Sequence, residues 1–297
     1  MDSQENNSRL LRLATYASVA TALILIGVKA TAWFMTGSLS ILGTLVDSLM
    51  DVAASLINLV AVRYSLKSAD EKHQFGHGKA ESLAALAQAS FITGSAFFLM
   101  MHAIERLSSP KAVTSIEAGV VVMVFSMAAT VLLVLFQYYV IRKTGSTAIR
   151  ADALHYVTDL LTNASTIVAL IFISFGWQIV DPLFAMAISM YILYSAWQIA
   201  GDAVQMLMDR ELSDEIRANI RSLVIAHDEV IGIHDLRTRQ SGQMKIIQLH
   251  LELDNAITLS EAHRIAKDVE EVLYREYPIA DILIHQDPSA CVKRKNL

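Results

Sequence analysis

Two pairs of ionisable residues interrupt stretches of the sequence that are otherwise apolar. Asp47 and Asp51 stand four residues apart, and His155 and Asp159 repeat this spacing later in the chain. Residues at i and i+4 share one face of a helix, with Cβ atoms about 5–6 Å apart, so two facing helices can offer four ligands. Three carboxylates and one imidazole suit a divalent cation such as Zn²⁺. Because ionisable groups within a membrane are generally functional, the pattern predicts metal ion transport.

A carboxylate inside a membrane can instead be the partner of a buried Lys or Arg. Neither of the two segments contains a basic residue at the depth of these pairs. The nearest candidate is Lys29, which we expect near the outer end of its own segment, with its long side chain reaching the polar interface. The metal interpretation is therefore the preferred one.

Six apolar segments are long enough to cross a membrane, which takes roughly 20 helical residues. Hydrophobic residues make up 54% of the chain and charged residues only 18%, as expected for an integral membrane protein. Lys and Arg concentrate in the termini and loops of one side, and the positive-inside rule places that side, with both termini, in the cytoplasm. The predicted spans are residues 13–34, 40–64, 81–104, 118–141, 151–175 and 182–204.

The composition becomes typical of a soluble domain after residue 208. A helix is predicted from Ser213, followed by two strands around the turn at Ser241 and Gly242. A capping box from Thr258 to Glu261 then begins a second helix, and a short last strand follows. We therefore expect a domain of six transmembrane helices at residues 1–208, a cytoplasmic α+β domain at residues 209–290, and a tail at residues 291–297.

A second candidate metal site lies in the predicted cytoplasmic loop between the second and third spans. Asp70, His73 and His77 offer three ligands, and Gly76 and Gly78 permit a tight turn around them. A solvated loop with incidental histidines is the alternative explanation of these residues.

A third candidate site is spread over the cytoplasmic domain. A single surface histidine is usually just solvated, but four histidines and one carboxylate can form a binuclear metal site. These five residues are His234, His250, His263, His285 and Asp287.

Several other functional classes are not supported by the sequence. A net charge of −5 with no basic stripe argues against a nucleic-acid partner. There is no glycine-rich phosphate loop for ATP and no His-Glu-x-x-His motif for a metalloenzyme. The chain has one cysteine, Cys291, and so cannot form an internal disulfide.

The segments SILGTLVDSLMD, HQFGHGKAES and RADALHYVTD resemble the signature stretches of the cation diffusion facilitator family, most closely its bacterial zinc and iron efflux members. The resemblance implies a homodimeric cation/proton antiporter of the bacterial inner membrane, with a metallochaperone-like αββαβ cytoplasmic domain. It also implies that Lys79 and Asp209 form an ion pair interlocking the helices near the dimer interface; an exposed pair of little energetic value is the alternative. The ligand set resembles that of zinc-handling members and leaves Fe²⁺ and Cd²⁺ open as cargo.

Electrostatics predict how such a site is coupled to protons. Without metal, three neighbouring carboxylates repel one another and favour protonation. Zn²⁺ binding must then displace protons, so alternating exposure of the site exports metal in exchange for protons. A passive metal channel or a membrane metal sensor with the same ligands is the alternative, because the sequence does not show coupling.

Overall fold

The computed structural model describes residues 2–36, 39–108, 117–174, 177 and 179–292. The chain forms two compact units. One is Asn7–Val204, and the other is Gln205–Leu297 together with Met1–Asn6. The first unit is built from long helices, and the second contains a small sheet and two shorter helices.

Six long helices correspond to the six predicted segments. Among the described residues, four stretches are long and apolar enough to cross a membrane, and they belong to the first, third, fourth and sixth helices. Four of the predicted segments thus form helices suited to crossing a membrane, whereas the six spans together, including those of the second and fifth helices, which carry the ionisable pairs, stay a prediction. The helices are α1 (Asp2–Thr36), α2 (Leu39–Ser65), α3 (Lys79–Ser108), α4 (Glu117–Thr144), α5 (Thr147–Ser174) and α6 (Val180–Leu207).

Small residues of three helices share one buried cluster. Ala85, Ala89 and Ala96 of α3 are no more than 1% exposed, and the same cluster contains the fully buried Ala151 of α5 and Ala196 and Ala203 of α6. Small residues are common where helices pack within membranes.

The N-terminus of α5 is held by two side chains. Ser146 Oγ accepts a hydrogen bond from the backbone N–H of Ile149 at 3.2 Å, which is the usual action of an N-cap serine. The carboxylate of Glu81, at the start of α3 and only 3% exposed, accepts hydrogen bonds from Ser146 and from backbone N–H groups of the first turn of α5. A negative group is favourable at a helix N-terminus, so α3 fixes the start of the helix that carries the second ionisable pair.

The second unit has the predicted order helix, strand, strand, helix, strand. A sheet of order β1-β2-β3 pairs β1 with β2 antiparallel and β2 with β3 parallel. The parallel pairing requires a crossover connection, which the second helix of the unit provides. The elements are α7 (Asp214–Ile225), β1 (Gly232–Ser241), β2 (Met244–Leu253), α8 (Leu259–Glu276) and β3 (Ala280–Pro288), followed by a short 3₁₀ helix (Ser289–Cys291).

One face of this sheet forms the core of the unit. Leu249 and Leu251 of β2 are no more than 1% exposed and pack in one cluster with Ile265, Val269 and Leu273 of α8. Alternation along β2 therefore leaves its polar side chains on the opposite face.

The helix boundaries of this unit largely follow the sequence signals. Thr258 Oγ1 accepts a hydrogen bond from the backbone N–H of Glu261 at 3.2 Å, which confirms the predicted cap of α8. Ser213 precedes α7 as predicted, but its side chain makes no capping hydrogen bond. Asp214 and Glu215 instead place negative charge in the first turn. Residues 293–297 of the predicted tail lie outside the described residues.

Candidate metal centres

The first candidate centre joins α2 to α5. His155 Nε2 lies 3.0 Å from Asp51 Oδ1 and 3.9 Å from Asp159 Oδ2, and one ligand atom from each of the three residues lies within 4.8 Å of the others. The side chains of His155 and Asp51 are only 12% and 16% exposed. We call these three residues the helix cluster. Asp47, the fourth predicted ligand, belongs to α2, but its side chain is outside the described part of the structure.

Lys29 contacts the neighbouring helix. Its Nζ donates a hydrogen bond of 2.6 Å to Ser48 Oγ on α2, and Ser48 is fully buried. The side chain therefore turns towards α2, and its position at the polar interface stays a prediction. Its hydrogen-bond partner stands three residues before Asp51 in α2.

A buried carboxylate that the sequence analysis missed lies one helical turn before His155. Asp152 has no exposed surface and accepts hydrogen bonds from Ser18 Oγ at 2.6 Å, Gln137 Nε2 at 2.7 Å and Gln88 Nε2 at 3.3 Å. These donors come from α1, α4 and α3, so one carboxylate connects four helices. The available signal was its ionisable character within the predicted span at residues 151–175.

The second candidate centre is the loop cluster, formed by Asp70, His73 and His77. Their ligand atoms also lie within 4.8 Å of one another, with His73 Nδ1 3.2 Å from Asp70 Oδ1 and His77 Nε2 3.3 Å from Asp70 Oδ2. Gly76 adopts φ +75° in the turn between the histidines, a conformation that glycine adopts without strain. The structure therefore brings together all three residues predicted for this loop.

Two features of the loop cluster suit a metal. The imidazole of His77 is 1% exposed, and neither of its ring nitrogens has a hydrogen-bond partner among the described residues. Nε2 lies near Asp70 Oδ2 but makes no hydrogen bond with it. A buried imidazole without a hydrogen bond is costly, and a metal ion between this ring and Asp70 would satisfy it. The pKa of Asp70 lies below its usual range because Lys67 Nζ and then the backbone N–H of His73 donate to it, so this carboxylate stays ionised as ligation requires.

The third candidate centre is a row of histidines across the polar face of the sheet. His234 of β1 pairs in register with His250 of β2, which pairs in register with His285 of β3. The carboxylate of Asp287 contacts all three rings: Oδ2 lies 2.7 Å from His250 Nδ1 and 3.3 Å from His234 Nε2, and Oδ1 lies 3.2 Å from His285 Nε2. We call these four residues the sheet cluster. One carboxylate shared by three imidazoles can bridge two metal ions.

The hydrogen bond with His250, and next the charge of His285, hold the pKa of Asp287 below its ordinary value. The carboxylate therefore remains ionised over a wider pH range than a free aspartate.

A further carboxylate, that of Glu252, contacts the sheet cluster. Glu252 Oε1 lies 3.1 Å from His234 Nδ1 and orients this imidazole as an outer partner of a ligand commonly does. Gly232 makes room for it, since a Cβ at that position would lie 2.8 Å from Glu252 Oε2. Sequence reasoning missed this role, although alternation along β2 puts Glu252 on the same face as His250.

Three predicted site residues lie outside these clusters. His263 is exposed on α8, and the structure does not bring it to the sheet cluster. Asp209 accepts a hydrogen bond from Arg239 at 3.1 Å, and Lys79 is the first residue of α3. Because Lys79 and Asp209 belong to different units, their ion pair stays a prediction.

Two family models together match almost the whole chain. The model described as the cation efflux transmembrane domain matches residues 15–208, and the model described as the cation efflux protein cytoplasmic domain matches residues 212–289. The chain belongs to the cation efflux family. The helix and loop clusters therefore lie in the transmembrane domain of a cation efflux protein, and the sheet cluster lies in its cytoplasmic domain.

Relatives of nearly full length confirm the resemblance to cation diffusion facilitators. The chain is 51% identical to the cation-efflux pump FieF of Serratia proteamaculans over 285 residues, covering 96% of this chain and 95% of the relative. It is 50% identical to FieF of Klebsiella pneumoniae over 288 residues, covering 97% and 96%, and 48% identical to FieF of Escherichia coli K12 over 291 residues, covering 98% and 97%. The protein is a membrane transporter of the cation efflux family, and this family is not one of enzymes.

Proposed function

We propose that this protein exports Zn²⁺ from the cytoplasm in exchange for protons, with Fe²⁺ and Cd²⁺ as further cargo. The observation that carries the proposal is the helix cluster, in which Asp51, His155 and Asp159 converge from two helices to within 4.8 Å. Zn²⁺ prefers four nitrogen, oxygen or sulfur ligands in a tetrahedron. Asp47, one turn before Asp51, is the proposed fourth ligand of a transport site near the middle of the membrane.

Proton exchange follows from the atoms that the metal must use. His155 Nε2 lies 3.0 Å from Asp51 Oδ1, the contact expected of a protonated imidazole next to a carboxylate. A neutral imidazole can bind Zn²⁺ and a protonated one cannot, so an imidazolium at His155 must lose one proton before it binds metal. Metal binding on the cytoplasmic side and proton binding on the outer side then give export without ATP.

The loop and sheet clusters are proposed to hold zinc that is not transported. The buried ring of His77, which makes no hydrogen bond among the described residues, and the shared carboxylate of Asp287 support metal binding at these two places. The chemistry that zinc supplies there is cross-linking of residues that are separate in sequence. Regulation by cytoplasmic zinc is the proposed role of the sheet cluster, to which His263 is a further proposed ligand, and a purely structural role is the alternative.

The assembly and membrane arrangement are proposed from the family. We propose a homodimer in the inner membrane of a bacterium, with six spans and both termini in the cytoplasm. The proposed domain limits are residues 1–208 and 209–290, with a tail at residues 291–297. Lys79 and Asp209 are the proposed interlocking ion pair.

Zinc flux in proteoliposomes tests the proposal. Flux should rise with an opposing proton gradient and should be lost in Asp159→Ala, since that change removes a ligand without touching α2. Asp202→Asn is the matched control, because this exposed carboxylate pairs with Arg150 away from the cluster. Flux that ignores the proton gradient would favour the passive channel, and binding without flux would favour the sensor.

Metal selectivity is tested by competition in the same vesicles. Fe²⁺ and Cd²⁺ should compete with zinc in the wild-type protein. His155→Asp replaces nitrogen by oxygen and should raise transport of harder ions such as Mn²⁺ relative to zinc. Unchanged selectivity in this variant would show that His155 does not bind the transported metal.

A further inference from the structure

Asp152 is a carboxylate within the helical unit that the metal clusters do not use. It is fully buried, and its three hydrogen-bond donors are Ser18, Gln88 and Gln137. All three are neutral. A buried negative charge without a cation is costly, so this group has a strong reason to take up a proton whenever no positive charge is near.

The surroundings of Asp152 contain few groups that could compete for this proton. The side chains that face it from α1, α3 and α4 are the neutral donors just named, and the side chain that faces it from α2 is the amide of Asn58. Its nearest titratable neighbours are His155 and Tyr156, one turn later on its own helix. Among the described residues, no Lys or Arg forms an ion pair with Asp152.

The side chain of Gln137 can serve both protonation states of Asp152. Its Nε2 donates to Asp152 Oδ2 at 2.7 Å and to Ser18 Oγ at 3.0 Å, as an ionised carboxylate requires. Its Oε1 is buried without a hydrogen-bond partner among the described residues. Rotation of the amide by half a turn would bring Oε1 to the carboxyl group, where it can accept a hydrogen bond from a protonated Asp152.

We propose that Asp152 is a proton-binding site of the transport cycle, separate from the metal ligands. The inference rests on the proposed exchange of zinc for protons. Zinc at the helix cluster places positive charge one helical turn away and favours the ionised carboxylate, so the O–H bond breaks and the proton passes to water. When zinc leaves, a proton from water returns to the same oxygen.

A cavity borders this network. It has a volume of about 200 Å³, lies between α2 and α3, and is lined mainly by apolar residues, with the amides of Asn58 and Gln88 as its polar groups. Gln88 also donates to Asp152, so the carboxyl group is connected to the cavity through one side chain. We propose this side of Asp152 as the route by which its proton reaches water.

Infrared difference spectra of the full-length protein in lipid, with zinc minus without zinc, test the inference. The wild-type spectrum should show loss of the carbonyl band of a buried carboxylic acid when zinc binds. Asp152→Asn should lack this part of the band while the helix cluster still binds zinc by equilibrium dialysis, and the control Asp202→Asn should match the wild type. An identical band in Asp152→Asn that binds zinc normally would overturn the inference.

Counting the protons released on zinc binding separates this inference from the proposed function. Asp152→Asn should release about one proton fewer per zinc than the wild type. No proton release by the wild type would reject the proposed exchange itself, whereas equal release by both proteins would reject only the role of Asp152.

A second variant leaves Asp152 itself unchanged, so this test remains valid even if Asp152→Asn does not fold. Ser18→Ala removes the 2.6 Å donor that stabilises the ionised form. The carboxylic acid band of Asp152 should then persist to a higher pH than in the wild type. An unchanged pH dependence would count against the inference.

Discussion

The helix cluster and the sheet cluster combine the same two residue types, Asp and His, on different scaffolds. In the helix cluster, Asp51 on α2 meets His155 on α5 through side chains alone. In the sheet cluster, His234, His250 and His285 stand on strands whose backbones are hydrogen-bonded in a fixed register. A small shift of α2 against α5 changes the distances within the helix cluster. The backbone hydrogen bonds between the strands keep the distances within the sheet cluster constant. The first scaffold suits metal that must be released, and the second suits metal that stays.

The two clusters also differ in their contact with water. The side chains of Asp51 and His155 are 16% and 12% exposed, while that of His285 is 63% exposed. Electrostatic interactions are stronger where water is excluded. We therefore expect proton and metal to compete more strongly at the helix cluster.

The largest expected effect follows removal of Asp51, the α2 residue that contacts His155. Asp51→Ala leaves the helix cluster without its link between the two helices, and zinc flux should fall by more than the roughly 10–100-fold that loss of an outer-shell partner costs. Zinc bound by the sheet cluster should be unchanged, because its ligands all lie on the strands. Flux measurement and zinc stoichiometry on the same sample check both statements, and equal losses at both clusters would contradict their independence.

The reverse variant removes the central ring of the sheet cluster. His250→Ala should weaken zinc binding there at least about tenfold, because His250 makes the shortest contact to Asp287. The helix cluster should keep its zinc. His263→Ala is the informative comparison: unchanged stoichiometry would place this exposed histidine outside the site, and a loss equal to that of His250→Ala would make it a ligand.

A smaller effect should follow from Gly232→Ala, which changes no ligand. The added Cβ would lie 2.8 Å from Glu252 Oε2, so the glutamate must move and give up its contact with His234. Loss of such an outer partner typically costs about 10–100-fold in metal affinity, and zinc titration measures it. Wild-type affinity in this variant would show that Glu252 does not orient His234.

The smallest effect concerns pH and the metal-free sheet cluster. The pKa of Asp287 is lowered, first by the His250 hydrogen bond. Its stabilising contribution is therefore present above the ordinary aspartate pKa of about 3.9 and is lost as pH falls through the lower folded value. The contribution should stay below about 1 kcal/mol, because the side chain is partly solvated.

Hydrogen exchange of β3 in the metal-free protein measures this contribution. Protection in the wild type should exceed that in Asp287→Asn at pH 5, and the difference should shrink below about pH 3.9. A difference in protection that grows as pH falls would contradict the expected loss of the Asp287 contribution at low pH.

Local periodicity predicted much of the architecture and most of the residues that the three clusters bring together. Alternation along β2 placed His250 on the polar face, and the helical period put His155 and Asp159 on one face of α5. Contacts distant in sequence could not be obtained in this way. Asp152 bonds Ser18 across 134 positions, and no local pattern pairs these two residues.

Strand register and the identity of neighbouring helices explain the remaining differences between the sequence predictions and the structure. Alternation does not fix how two strands align, so the row that joins His250 to His285 becomes evident only from the pairing of β2 with β3. The hydrogen bond from Lys29 to Ser48 was not predicted, because the sequence of α1 does not show which side chains of the neighbouring helix lie beside it.

The parallel pairing of β3 also orders the folding of the second unit. β1 and β2 are joined by a short turn at Gly242, so His234 and His250 can meet after closure of a very short loop. Asp287 reaches them only after α8 has crossed back over the sheet, and pairings of long sequence separation form slowly. We therefore expect the two histidines on the hairpin to be together before the shared carboxylate arrives, so that the complete metal-binding arrangement is among the last parts of this unit to mature.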